Sequence, residues 1–166
     1  MNRLYIFILI AMIAALAACN PFAPAIGNTS SNTQFGDPHT VDGYFQAFQY
    51  AYTFSDTTIY GSLLADNFIF SFYDYDQDLS VQWGRDDEMR VTALLFQNTS
   101  LTLLWGNILD AEGTSTDSTV TRAFTLNVTF NEGDIEEVDG SAVFHLQRPA
   151  SSDPWLAVSW QDESTY

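Results

Sequence analysis

Between Ser118 and Asn131 the chain alternates as a half-buried strand must. Val120, Phe124, Leu126, Val128 and Phe130 fall on one side, and Thr119, Thr121, Thr125, Asn127 and Thr129 on the other. Successive side chains of a strand point to opposite faces. The run therefore demands a sheet with one face covered by a core and the other wet or held in an interface. Arg122 is the odd residue on the apolar side. A buried guanidinium needs an acidic partner. The expected arrangement is a structural ion pair, with Asp162 as one choice of acid. The alternative is a pocket cation that orients a carboxylate ligand.

Three further strand-like runs flank this one, at about Ser100–Asp110, Glu137–Arg148 and Trp155–Asp162, with turns at Glu112-Gly113, Asn131-Glu132-Gly133 and Ser152-Asp153-Pro154. Upstream, the period is helical. Val41, Tyr44, Phe45, Phe48 and Tyr52 form one stripe over about Val41–Phe54, with Thr40 as cap. Asp56 can cap a second helix, about Thr57–Leu64, that places Ile59, Leu63 and Leu64 inward and ends at Asp66-Asn67. Phe68, Phe70 and Phe72 then alternate as a strand to Tyr73. An acidic loop and a short strand at Val81–Trp83 follow. A third helix starts after Gly84 and runs to about Phe96, with Met89, Ala93 and Phe96 inward. Asp86, Asp87 and Glu88 sit in its first turn, where the helix dipole favours negative charge. Helices first and an antiparallel meander last imply an α+β domain, about three helices packed on one face of a strongly curved, mainly antiparallel sheet.

The N-terminus carries a different signal. Arg3 precedes an uncharged apolar run, Leu4–Ala18, that ends in Leu16-Ala17-Ala18-Cys19. The run suits a signal peptide and is too short for a comfortable membrane span. Cys19 is the chain's one cysteine, so no intrachain disulfide explains it. The pattern resembles the lipobox of bacterial lipoproteins, which implies cleavage before Cys19 and lipid attachment to it. The expected organisation is a signal peptide at 1–18, the lipidated cysteine and a flexible tether rich in Pro, Gly, Ser and Asn at 19–39, and one domain at 40–166. Asn20 after the cysteine suits an outer-membrane lipoprotein facing the periplasm or the exterior.

Charge removes one class of partner. The chain has 21 acids against five basic residues, net −16, and all five are arginines. Cleavage before Cys19 would remove Arg3 and no acid, leaving four against 21, or −17. Such a surface repels nucleic acid and anionic headgroups. Solubility in a salty medium is the plainer explanation, and attraction of cations the sharper one.

Three stretches, in order and spacing, resemble the nuclear transport factor 2-like superfamily, which also holds the ketosteroid isomerases and polyketide cyclases. They are Tyr60-Gly61-Ser62-Leu63-Leu64-Ala65-Asp66-Asn67-Phe68; Trp83-Gly84-Arg85-Asp86-Asp87-Glu88 with Leu94-Leu95-Phe96; and Trp155-Leu156-Ala157-Val158-Ser159-Trp160-Gln161-Asp162. The resemblance covers residues 41–163. It implies a cone-like fold with a pocket at the open end, and frequent dimers through the outer sheet face. It does not imply one activity.

An isomerase-like site would use Asp74 as base, with a helix-borne hydroxyl from Tyr44 or Tyr52. The inward positions of Ser118–Asn131 carry Arg122 and no acid, so the expected role is not catalysis. The expected pocket comprises Tyr44, Phe48, Trp83, Trp105, Arg122 and Phe124. Asp74, Asp76 and Asp78 begin like a calcium loop, but Leu79 and Arg85 occupy the places of its required Gly and Glu. That leaves, for metals, only a looser calcium site on those three acids. His39 and His145 read as surface residues, with no cluster to hold a transition metal. No cofactor is expected. The leading expectation is a membrane-anchored domain that binds a small apolar ligand or an envelope partner. An isomerase, dehydratase or cyclase and a structural homodimer stand behind it.

Overall fold

The structure, a computed structural model, describes residues 35–164 apart from residue 132. Cys19, the apolar run before it and most of the expected tether lie outside the described residues. The described residues form helices α1 (Val41–Thr53), α2 (Thr57–Ser62) and α3 (Arg85–Asn98) and strands β1 (Leu64–Asp74), β2 (Leu79–Gly84), β3 (Ser100–Gly113), β4 (Asp117–Asn131), β5 (Asp134–Gln147) and β6 (Leu156–Asp162). The strands make one mixed sheet in the order β2-β1-β6-β5-β4-β3, with β1 and β6 parallel and every other pair antiparallel. The fold is α+β, a curved sheet holding a few helices, as the alternation of β4 requires.

Local chemistry starts the helices where expected. The Thr40 hydroxyl accepts from the Gly43 amide at 3.0 Å, and the Asp56 carboxylate accepts from the amides of Thr58 and Ile59 at 2.9 Å. The second helix is shorter than its pattern suggests. Leu64, Ala65, Asp66 and Asn67 already belong to β1, whose pairing with β6 shifts between Leu64 and Ile69. Asp66 and Asn67 are exposed at that irregularity, so they bend a strand and do not end a helix.

The tether is also shorter than expected at its domain end. The Phe35 ring meets Tyr50 edge-on at 4.4 Å, and the carbonyl of Pro38 accepts from the Trp155 amide at 2.8 Å. This crossing needs glycine. A Cβ on Gly36, whose φ is +88°, would lie 2.3 Å from the Gly43 carbonyl, and one on Gly43 would lie 2.0 Å from the Asp37 carbonyl.

The core is aromatic. Phe48 on α1 packs against Tyr44, Tyr52, Tyr60, Trp105, Phe144 and Trp160, with centroids 5.0–6.4 Å apart. Sheet register aligns the facing side. Trp83, Phe70, Trp160, Phe144 and Val120 are successive partners across five strands. In the next row, Phe72, Asp162, Ala142 and Arg122 are successive partners.

That row explains the behaviour of Arg122. Asp162 lies two strands away, roughly 9–10 Å at the usual strand spacing, so the expected ion pair between them does not form. The guanidinium instead lies over the Phe45 ring at 4.9 Å and the Trp105 ring at 5.8 Å, and its Nε donates to the Gly106 carbonyl at 3.1 Å. Partial burial holds its pKa below the ordinary guanidinium value, while the charge of Asp42 acts the other way.

Candidate functional site

The residue that organises the candidate site looks, in the sequence, like a solvated helix-start acid. Glu88 lies one turn into α3 and is only 3% exposed. Its Oε1 accepts from the Tyr60 hydroxyl at 2.6 Å and from the Thr92 hydroxyl at 2.8 Å, and its Oε2 accepts from the Trp83 indole N–H at 2.7 Å. Three elements supply these donors. Trp83 ends β2, five residues before Glu88. Thr92 follows at i+4 on the same helical face. Tyr60 comes from α2. Among the described residues no cation lies within salt-bridge distance of Glu88.

The fully buried stripe of α3 is Glu88, Thr92 and Phe96, while Met89, from the expected stripe of Met89, Ala93 and Phe96, is partly buried and packs against the core. Met89 and Ala93 are half-buried at its flank. The two stripes share Phe96 and differ by one residue, about 100° of helix rotation, over the first two turns. Hydrophobicity alone does not single out the fully buried stripe, because that stripe opens with a carboxylate and a hydroxyl. The available signal was the four-residue spacing of Glu88, Thr92 and Phe96 behind a tryptophan.

Beside this network lies a cavity of about 270 Å³. Phe70, Phe72 and Trp83 wall one side. Glu88, Val91, Thr92 and Leu95 line it from α3, Tyr52 from α1, and Trp160 and Asp162 from β6. The rings crowd together, with Phe70 4.6 Å from Trp83 and 4.8 Å from Trp160. The Trp160 indole nitrogen is buried and meets no acceptor among the described residues. No lining residue is basic. Burial is the main influence on the Tyr52 and Tyr60 phenols and pushes both pKa values well above the ordinary one. The Glu88 charge reinforces this for both. Both hydroxyls therefore keep their protons at neutral pH.

The residues picked out by sequence divide among several places. Trp83 and Tyr52 line the cavity. Tyr44, Phe48 and Phe124 are buried in the core, where the Tyr44 hydroxyl points to the Leu63 carbonyl at 3.4 Å. Trp105 is half-buried and donates its indole N–H to the Phe45 carbonyl at 3.0 Å. Arg122 lies over Phe45 and Trp105 and does not line the cavity. Asp74 stands outside it, accepting from the amides of Asp76 and Gln77 and from the Gln77 side chain within its own turn. These hydrogen bonds hold its carboxyl below the ordinary pKa. Asp78 accepts from the Tyr73 hydroxyl. Asp74, Asp76 and Asp78 do not gather around a point that would hold calcium, and among the described residues no three metal-binding side chains do so. His145 pairs with Asp117 at 3.0 Å and His39 with Asp37 at 2.7 Å, both at the surface. The sequence reading missed Glu88, Tyr60, Thr92 and Asp162 as parts of one site.

No family model and no curated protein matches the sequence. Solved structures do match in fold. A conserved protein from Planctomyces limnophilus superposes with a TM-score of 0.66 at 13% identity, over 75% of this chain and 93% of that one. A nuclear transport factor 2-like protein of unknown function in nutrient uptake, from Rhodospirillum rubrum, gives 0.61 at 12% identity, over 76% and 99%. A ketosteroid isomerase-like protein from Erwinia carotovora gives 0.59 at 12% identity, over 76% and 94%. The described domain thus has the fold of nuclear transport factor 2-like proteins, and at these identities the likeness concerns fold alone.

Proposed function

We propose that this domain binds a small molecule, without transforming it, in the cavity between α3 and the β2-β1-β6 edge of the sheet. One observation carries the reading. The cavity is walled by aromatic side chains, and the carboxylate beside it is held by three protein donors. A general base must be able to reach a substrate proton. Both Glu88 oxygens are already engaged, the Tyr52 and Tyr60 phenols are held protonated, and Asp74 lies elsewhere. What is left is a pre-formed, aromatic-lined recess, the usual form of a ligand site. The Leu16-Ala17-Ala18-Cys19 pattern supports placing the domain on a lipid anchor outside the cytoplasm.

An enzymatic reading rests on one observation, that Tyr52 and Asp162 line the same cavity. The same experiment separates the two. Val91 is 40% exposed and lines the cavity without taking part in the Glu88 network. Val91→Phe should fill the recess and leave the fold intact. Fragments that shift the Trp83 and Trp160 indole N–H signals in NMR should bind at least about tenfold more weakly to this variant, a loss of about 1.4 kcal/mol. Fragments that bind both proteins equally would place the site elsewhere. Conversion of a bound fragment during the titration would favour the enzyme.

A further inference from the structure

We infer that the occupant of this cavity is a small organic cation, an amine or quaternary ammonium compound. This rests on the binding reading above and specifies its ligand.

The ionisable side chains lining the cavity are Tyr52, Glu88 and Asp162, and none is basic. Glu88 is 3% exposed, and no arginine or histidine among the described residues reaches it within 4.0 Å. A buried carboxylate is costly when no opposite charge accompanies it, and hydrogen bonds recover only part of that cost. A neutral ligand would cover Glu88 further without bringing an opposite charge to it. An anionic ligand would be repelled by Glu88, and Arg122, the residue the sequence suggested for holding a carboxylate, lies over Phe45 and Trp105 instead. A cation is favoured from both sides of the cavity. The faces of Phe70, Phe72, Trp83 and Trp160 carry the negative pole of the aromatic quadrupole, which attracts ammonium groups.

Size narrows the class. At about 270 Å³ the cavity lies just below the range of roughly 300–1,000 Å³ that accommodates drug-sized ligands, so the occupant is small. The net charge of −16 raises the local concentration of cations around the whole chain, but it does not select one shape. Selectivity comes from the aromatic walls.

Choline and its uncharged carbon isostere, 3,3-dimethylbutan-1-ol, share shape and hydroxyl and differ in charge. The full chain, held in dodecyl maltoside, would be titrated with each, following the Trp83 and Trp160 indole N–H signals by NMR. Choline should bind about tenfold or more tightly than the alcohol, as a desolvated cation–aromatic contact allows. Equal affinity for the two would overturn the cation assignment and leave the binding reading standing. If neither ligand moves those two signals, or if only Trp105 and Trp155 respond, the cation assignment falls together with the cavity as its site.

Discussion

Glu88→Ala should cost this domain about 3 kcal/mol or more of unfolding free energy, at roughly 1–3 kcal/mol for each buried donor left without an acceptor. The change leaves the Tyr60 hydroxyl, the Thr92 hydroxyl and the Trp83 indole N–H without their acceptor, two of these three residues being almost wholly buried. Against a typical total of about 5–15 kcal/mol, that is a fifth or more of the stability. Glu88→Gln keeps the volume but turns one oxygen into a donor facing donors, so a loss of about 1–3 kcal/mol is expected. Tyr60→Phe combined with Glu88→Ala should be clearly less damaging than the sum of the two changes, because they break the same bond. Urea denaturation of the parent, the three single variants and the double variant gives all these values. An Ala variant within about 1 kcal/mol of the parent would mean that the network does not hold the wall of the cavity.

Alkali should unfold the domain more steeply than usual. Burial is the principal cause that raises the pKa values of Tyr44, Tyr52 and Tyr60 above the ordinary 10.0. A folded-state pKa above the unfolded one gives stability that is complete below pH 10. It is lost as pH rises beyond 10, since the unfolded phenols ionise while the folded ones keep their protons. Each such tyrosine contributes a slope of about 1.4 kcal/mol per pH unit above that point, or about 4 kcal/mol per unit for three. The chain has no lysine, so no ammonium titration overlaps the window. Urea midpoints from pH 9 to 11.5 should fall accordingly, and Tyr44→Phe should remove about a third of the slope. A flat profile would show that these phenols reach water in the folded state.

The fold was largely legible because it rests on periodicity. The alternation of β4, the stripe of α1 and the caps at Thr40 and Asp56 are local signals, and the structure keeps them except at Phe130, which is exposed at the end of β4 and not turned to the core. Two boundaries were not legible. Leu64 to Asn67 read as a helix end, yet pairing with β6, which follows some ninety residues later in the chain, draws them into a strand. Residues 35–39 have a linker's composition, yet contacts with Tyr50 and Trp155 fix them. The site was less legible than the fold. Trp83 stood out as an aromatic residue and Tyr52 as a helix-borne hydroxyl, and both line the cavity. Glu88 was hidden because an acid in the first turn of a helix already has a sufficient local reason to be there. Only the placement of Tyr60, brought in from α2, turns it into the centre of a buried network. Asp162 and Arg122 were paired on charge alone, whereas register sets Ala142 between them.

The central claim is that a small cation occupies the recess between α3 and the aromatic edge of the sheet. Intermolecular nuclear Overhauser effects from the choline methyl protons, measured on the full chain at saturating choline, test it most directly. Contacts to the rings of Phe70, Trp83 and Trp160 are expected. Contacts confined to exposed rings such as Phe54 and Tyr75, or none at all, would contradict it.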